Sequence, residues 1–317
     1  MLNARLQSLM NEGMDMAKEQ LRSAVARSDA EIACIANEVR HDIVAMLGAA
    51  GSGHPGGSLS SADIMATLFY SGVLGWDPRD AKNPDRDRFI LSKGHAAPTL
   101  YAILAQQGYI DRDELMSIRK LGSPLQGHPD CIRVPAVEVS TGSLGQGLSI
   151  SCGMAIGLSL DAKAEGGEPS RVFCLLGDGE LQEGENWEAA MFASSQNLGN
   201  LIALVDYNDL QIDGRIDDVC GIEPLERKFE AFGWRAMEAD GHSIPAIRAA
   251  LNEAVEGSDA PTVVVFRTVK GKGVSFMEDQ VGWHGVAPNA EQTTAALAEI
   301  DAEGERLAAA AKEAQVR

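Results

Sequence analysis

Positive charge is scarce in this chain. Lysine and arginine number 27 against 46 aspartates and glutamates over 317 residues, a formal net charge of −19, and such a field opposes a general role in binding nucleic acid or anionic membrane surfaces. An anionic ligand would have to be held by a metal ion, a few local cations or helix N-termini. Cysteine is sparse too: Cys34, Cys131, Cys152, Cys174 and Cys220 are scattered and form no CxxC pair. Neither a zinc site nor a disulfide framework is expected, and reduced thiols are the plain reading. No charged-then-apolar leader opens the chain; residues 1–27 mix Arg, Glu, Lys and Asp with apolar residues at helical spacing, which predicts a helical arm on a cytoplasmic protein. Long hydrophobic runs are nearly missing as well. Residues 143–160 (SLGQGLSISCGMAIGLSL) carry no charge over nearly a membrane-spanning length, but their Gly, Ser and Gln content opposes insertion. A buried helix is expected instead, with Gly153, Ala155 and Gly157 allowing close packing against another helix or subunit.

What is present suits one large core. With 45% hydrophobic residues, residues 31–317 read as a single domain that includes a C-terminal helix, preceded by the arm at 1–30. Residues 31–50 place apolar side chains at helical intervals and run into SGHPGG, a loop by its Gly and Pro. Residues 60–74 and 95–107 also read as helices, and the polar, turn-rich stretch 75–88 reads as a surface connection. From Arg171 the pattern alternates short apolar runs (RVFCLLG, LIALVD, TVVVFRTV) with amphipathic segments. That is the pattern of an α/β fold, a mostly parallel sheet flanked by helices on both faces. The Ala- and Glu-rich tail from Ala295 reads as the terminal helix.

In such sheets ligands gather at the carboxyl ends of the strands. Two predicted strands end in Gly177-Asp178-Gly179 and in Asp206-Tyr207-Asn208. Glycine lets backbone amides approach an anion closely, and Asp178 supplies a hard carboxylate. Asn208 lies thirty positions further on, so a strand-helix-strand path can return its amide oxygen beside that carboxylate. The pair suits Mg2+, with Ca2+ or Mn2+ fitting the same oxygens. Gly-Asp-Gly alone would describe many turns; spacing and strand context raise it above that.

Gly177-Asp178-Gly179-Glu180 followed by Asn208 resembles the thiamine-diphosphate signature of transketolases. Six segments resemble that family in its order: SGHPGGSLSSAD around His54, DRFILSKGHA around His95, LQGHPD around His128, VEVSTGSLGQGLS from Val137 onward, GDGELQEGENWEA from Gly177, and WHG around His284. The resemblance implies a thiamine-diphosphate-binding fold with Asp178, Asn208 and the Leu210 carbonyl on a divalent cation. It implies cofactor contacts from Gly142, Leu144, Gly177, Asp178, Gly179, Glu180, Asn208, His95 and His284. His54, His95 and His284 would be catalytic, and His54, His128 and His284 would meet the substrate. Glu183 would lie at a subunit interface. Tyr207 stands where the family often has a second asparagine, and Ser143 where it commonly has proline.

Single histidines have plainer readings. His41 sits on a predicted helix beside Asp42, where a surface or capping role is expected, and His242 reads as a turn residue. His54, His95, His128 and His284 all lie in glycine-containing loops, where functional residues concentrate, and an imidazole can give or accept a proton near neutral pH. In transketolases the glutamate that activates the cofactor lies in a second, pyrimidine-binding domain, for which no candidate follows here. The expectation is therefore a split enzyme, a two-carbon ketol transferase acting on sugar phosphates in a heterotetramer with a pyrimidine-domain partner subunit. Two alternatives stand beside it: the alpha subunit of a 2-oxoacid dehydrogenase, which shares GDG and the later Asn, and a non-catalytic assembly subunit that merely binds the cofactor. The SGHPGG, SKGHA and GHPD loops point to sugars, and a scaffold would not need the whole residue set.

Overall fold

A computed structural model describes residues 26–77, 80 and 83–316; the expected arm at 1–30 lies almost wholly outside the described residues. Helix α1 (Asp29–Ala50) opens on a capping box in which Ser28 and Glu31 satisfy each other's backbone amides, and it ends at Gly51 in the left-handed conformation. Two short helices follow, α2 (Pro55–Ser60) and α3 (Ala62–Tyr70). The SGHPGG segment, expected as a loop, is thus helical from Pro55 onward, since proline at the first helical position loses no hydrogen bond there.

Strand β1 (Arg88–Leu91) leads into helix α4 (Ala97–Gln106), and helix α5 (Gln146–Glu165) precedes strand β2 (Val172–Gly177). Helix α6 (Gly184–Ser195), strand β3 (Leu201–Tyr207), helices α7 (Ile216–Cys220) and α8 (Leu225–Ala231), strand β4 (Arg235–Asp240), helix α9 (Ile244–Ala254), strand β5 (Thr262–Arg267) and helix α10 (Ala290–Val316) complete the chain. The five strands form one sheet in the order β1-β2-β3-β5-β4, and every pairing is parallel. The stretch 75–88 is less superficial than its polarity predicts. Trp76 is buried against Phe69, and the Asp87 carboxylate accepts from the amides of Gly75 and Arg171.

Alternation along the strands sends side chains to two cores. Phe173, Leu175, Ile202, Leu204, Val264 and Phe266 pack beneath α1, α3, α4 and α9. Val172, Cys174, Leu176, Ala203, Val205 and Val265 pack against α5, α6 and α8. Helices therefore cover both faces, and the strand interiors read as unbroken apolar runs. Helix α5 is only half buried. Leu148, Cys152 and Ala155 face the sheet, whereas Leu160 is 62% exposed and a methyl group added at Gly153 or Gly157 would meet nothing within 4 Å. Of the small residues expected to allow close packing against another helix or subunit, Ala155 is buried within the chain, and Gly153 and Gly157 lie on the open face of the helix. Among the described residues no helix is long and apolar enough to cross a membrane, and all five cysteines are free.

Candidate functional site

The parallel register sets Gly177 of β2 beside Asp206 of β3, so the two acidic strand ends meet. Asp178 follows β2 and is buried; its Oδ1 accepts from the Gly179 amide at 2.8 Å and its Oδ2 from the Asp209 amide at 2.6 Å. Burial, and then the Asp206 charge, push the Asp178 carboxyl up to about 6. A nearby cation would relieve both penalties. Asn208 is buried on the same side, with its Oδ1 accepting from the Leu210 amide at 3.3 Å. The carbonyl of Leu210 accepts from Lys270 Nζ at 2.8 Å, so it already faces a positive charge. Among the described residues no group of three or more His, Cys, Asp or Glu could hold a metal. Asp178, Asn208 and the Leu210 carbonyl offer oxygen donors of the kind that a hard cation such as Mg2+ takes.

Three imidazoles gather around that of His54. Its ring centroid lies 5.4 Å from that of His95, 5.7 Å from His284 and 6.4 Å from His128, and His95 lies 5.4 Å from His284. They come from the start of α2, the turn after β1, the 119–135 loop and the segment after β5, so only the tertiary fold unites them. Glycine makes the approach possible. A methyl group at Gly56 would strike the Trp283 carbonyl at 2.8 Å and the Lys270 side chain at 2.9 Å, and one at Gly57 would press on His95 Nε2 at 3.3 Å.

All four histidines are held neutral. Burial lowers His54 to about 4 and His284 to about 3, and it takes His95 well below the ordinary range. Arg119 adds to this at His54, Lys93 at His95 and Lys270 at His284. His128, exposed at the rim, is lowered by burial and Arg119. Lysine has donors only, so the 2.8 Å contact of Lys270 Nζ with His284 Nδ1 makes that nitrogen the acceptor and puts the ring proton on Nε2.

Lys270, Lys93, Asp206 and Arg119 went unassigned from sequence. Burial lowers Lys270 to about 8, leaving it mostly cationic at neutral pH beneath His284. Lys93 Nζ donates to the Gly57 carbonyl at 2.8 Å and pairs with Asp206, both side chains being buried. A lysine inside SKGHA and another in TVKGKG, each directly after a strand, were the available signals. His242 does occupy a turn, but its ring also bonds Asp63 Oδ2 and accepts from the Val269 amide, both at 2.8 Å. It thereby anchors the segment that carries Lys270.

The remaining expected residues separate into two groups. Gly142 and Leu144 are half buried, and the His128 ring packs over Gly142, 3.2 Å from where a β-carbon would stand. Glu180 is turned inward: its carboxylate accepts from the Gly145 and Gly177 amides, each at 3.0 Å, and from Ser92. With those acceptors engaged it ties the Gly145 and Gly177 turns to Ser92. Glu183 is exposed at the start of α6, against Gly145. His41 bridges loosely toward Asp301 of α10, 3.7 Å away.

The family model described as transketolase, thiamine diphosphate binding domain, matches residues 32–306. The 6-deoxy-6-sulfo-D-fructose transketolase subunit of a Clostridium species is 40% identical over 269 residues, covering 85% of this chain and 96% of that protein. A transketolase subunit named for apulose-4-phosphate, from Actinobacillus succinogenes, is 40% identical, covering 84% of this chain and 94% of that one. Human transketolase is 44% identical over 79% of this chain but only 39% of its own length. The crystal structure of Campylobacter jejuni transketolase superposes with a TM-score of 0.80 at 30% identity, covering 89% of this chain and 46% of that one. The chain thus spans less than half of these longer transketolases and nearly all of the two shorter relatives. With sequence, fold and strand-end residues in agreement over most of its length, the chain belongs to the transketolase family and forms its thiamine diphosphate binding domain.

Proposed function

We propose that this chain is the diphosphate- and metal-binding subunit of a two-subunit transketolase, which moves a two-carbon ketol unit from a ketose phosphate to an aldose phosphate. The observation that carries the reading is the convergence of four neutral imidazoles, linked through Lys270 Nζ at 2.8 Å to His284 and at 2.8 Å to the Leu210 carbonyl. Thiamine diphosphate, when bound, supplies the nucleophilic carbon and electron sink for breaking and remaking the sugar's carbon–carbon bond. Asp178, Asn208 and the Leu210 carbonyl would hold Mg2+, and Lys270 and His95 would offer a diphosphate a cation and a donor. His284 offers its Nε2–H outward because Lys270 occupies Nδ1. His54, His128 and His284 can donate to substrate oxygens without carrying charge, and donors aimed at an oxygen that gains negative charge lower the barrier. Gly142 and Leu144 line the cofactor-side wall.

The two relatives named as subunits support a partner chain, which would bring the pyrimidine-side acid and the sugar-phosphate grip. Their names carry two different anionic sugars, 6-deoxy-6-sulfo-D-fructose and apulose-4-phosphate, in keeping with an anionic ketose as the substrate. Residues 31–317 form the binding domain in this reading, and Glu183 with the open face of α5 would meet another subunit in a tetramer of two chains of each kind. Mixing the purified chain with a separately expressed pyrimidine-domain partner, thiamine diphosphate and Mg2+ should give ketol transfer, with neither chain active alone. Full turnover by this chain alone overturns the split, and pyruvate-dependent dye reduction without ketol transfer would favour a 2-oxoacid dehydrogenase.

A further inference from the structure

Ser60 closes α2 with its side chain fully buried, between the acidic end of β3 and the carboxamide of Asn208. Its hydroxyl has one hydrogen. Two acceptors stand within reach of it, Asp206 Oδ2 at 2.5 Å and the Gly57 carbonyl at 3.3 Å. Neither can donate: Asp206 is paired with Lys93 and also accepts from Thr268, and a carbonyl has no hydrogen. Toward Asn208, 3.5 Å away, Ser60 Oγ can therefore only accept.

A carboxamide has one acceptor end and one donor end, nearly indistinguishable in shape, so its neighbours decide which way it points. Ser60 calls for the NH2 end. On the other side the Leu210 amide donates at 3.3 Å and calls for the oxygen. Two independent partners demand the same orientation, and it is the one that turns Oδ1 away from Ser60 and toward the Leu210 amide. The reverse orientation would offer a cation two N–H hydrogens.

We propose that Ser60, held as an acceptor by Asp206 and Lys93, is a positioning residue that fixes the Asn208 carboxamide with its oxygen on the cation side. This rests on the metal assignment made above. Groups behind a ligand commonly set its orientation and change metal affinity by about 10–100-fold when removed. Ser60 needs no contact with the ion to act in this way.

Mn2+ binding to the full chain, followed by electron paramagnetic resonance in the presence of thiamine diphosphate, tests the proposal without any turnover. Ser60→Ala and Ser60→Cys should each weaken Mn2+ binding about tenfold, and Ser60→Thr, which keeps the hydroxyl, should restore it. In an Asn208→Asp background the two ligand oxygens are equivalent, so Ser60→Ala should there cost less than about twofold. Equal losses in both backgrounds, or unchanged affinity in Ser60→Ala and Ser60→Cys, would overturn the relay. Asn208→Ala separates the two levels: if it leaves Mn2+ binding intact, the metal assignment itself fails, whereas lost binding there beside an inert Ser60 removes only the relay.

Discussion

Asp178 and Asp206 end neighbouring strands, both buried, and their environments drive them in opposite directions. Burial would raise both carboxyls. At Asp206 the Lys93 ammonium, with hydrogen bonds from Lys93, Ser60 and Thr268, more than offsets this and holds the carboxyl below its ordinary range. At Asp178 two backbone amides and the more distant Lys270 do not suffice, and the Asp206 charge works against it. One acid is neutralised within the chain; in the proposed reading the other would be completed by a cation from outside, so that the same residue type serves a structural ion pair at one strand end and a binding site at the next.

The strongest way to break that comparison is Asp178→Ala in the reconstituted enzyme. It should reduce turnover at saturating cofactor about 1,000-fold, equivalent to about 4 kcal/mol of transition-state stabilisation, while the melting temperature of the metal-free chain stays level or rises. Turnover close to that of the unaltered enzyme would sink the assignment. Lys93→Met probes the other acid. Leaving Asp206 buried without its cation should destabilise the chain by about 3–5 kcal/mol in denaturant unfolding, whether or not metal is present. A loss that appears only with metal would mean Lys93 belongs to the ligand site.

The smallest effect concerns the histidines. His54 at about 4 and His284 at about 3 lie below the ordinary value of 6.5, so the unfolded chain binds protons more readily than the folded one. Their contribution to stability is present above pH 6.5 and is lost as pH falls toward 4 and then 3. Thermal melts of the metal-free chain between pH 7 and pH 4 should show that decline, with a shallower slope in His54→Gln and in His284→Gln. An unchanged slope in both variants would mean the imidazoles titrate as exposed groups.

Much of this was legible beforehand. The apolar runs at 171–177, 201–206 and 262–269 contain strands β2, β3 and β5, buried along almost their whole length, and their alternation with amphipathic segments made them legible. Strand β1 escaped because its four residues are too few to show a period and sit beside a polar stretch. The limits of α2 escaped because glycine hides a short helix whose backbone is fixed by Pro55 and by burial. For helix α5 the sequence showed small residues but not which side they faced, since residues 146–160 carry no charge to mark a solvent face.

Sequence by itself determined the family, the strand-end acid and amide, and the four loop histidines, because each rests on local residue order and spacing. Tertiary structure alone decided that Lys93 neutralises Asp206 across 113 positions, that Ser60 meets Asn208 across 148, and that Lys270 fixes the His284 tautomer. Charge pairing and hydrogen-bond direction depend on distances of about 3 Å between side chains, and no spacing along the chain encodes which strand end will lie beside which.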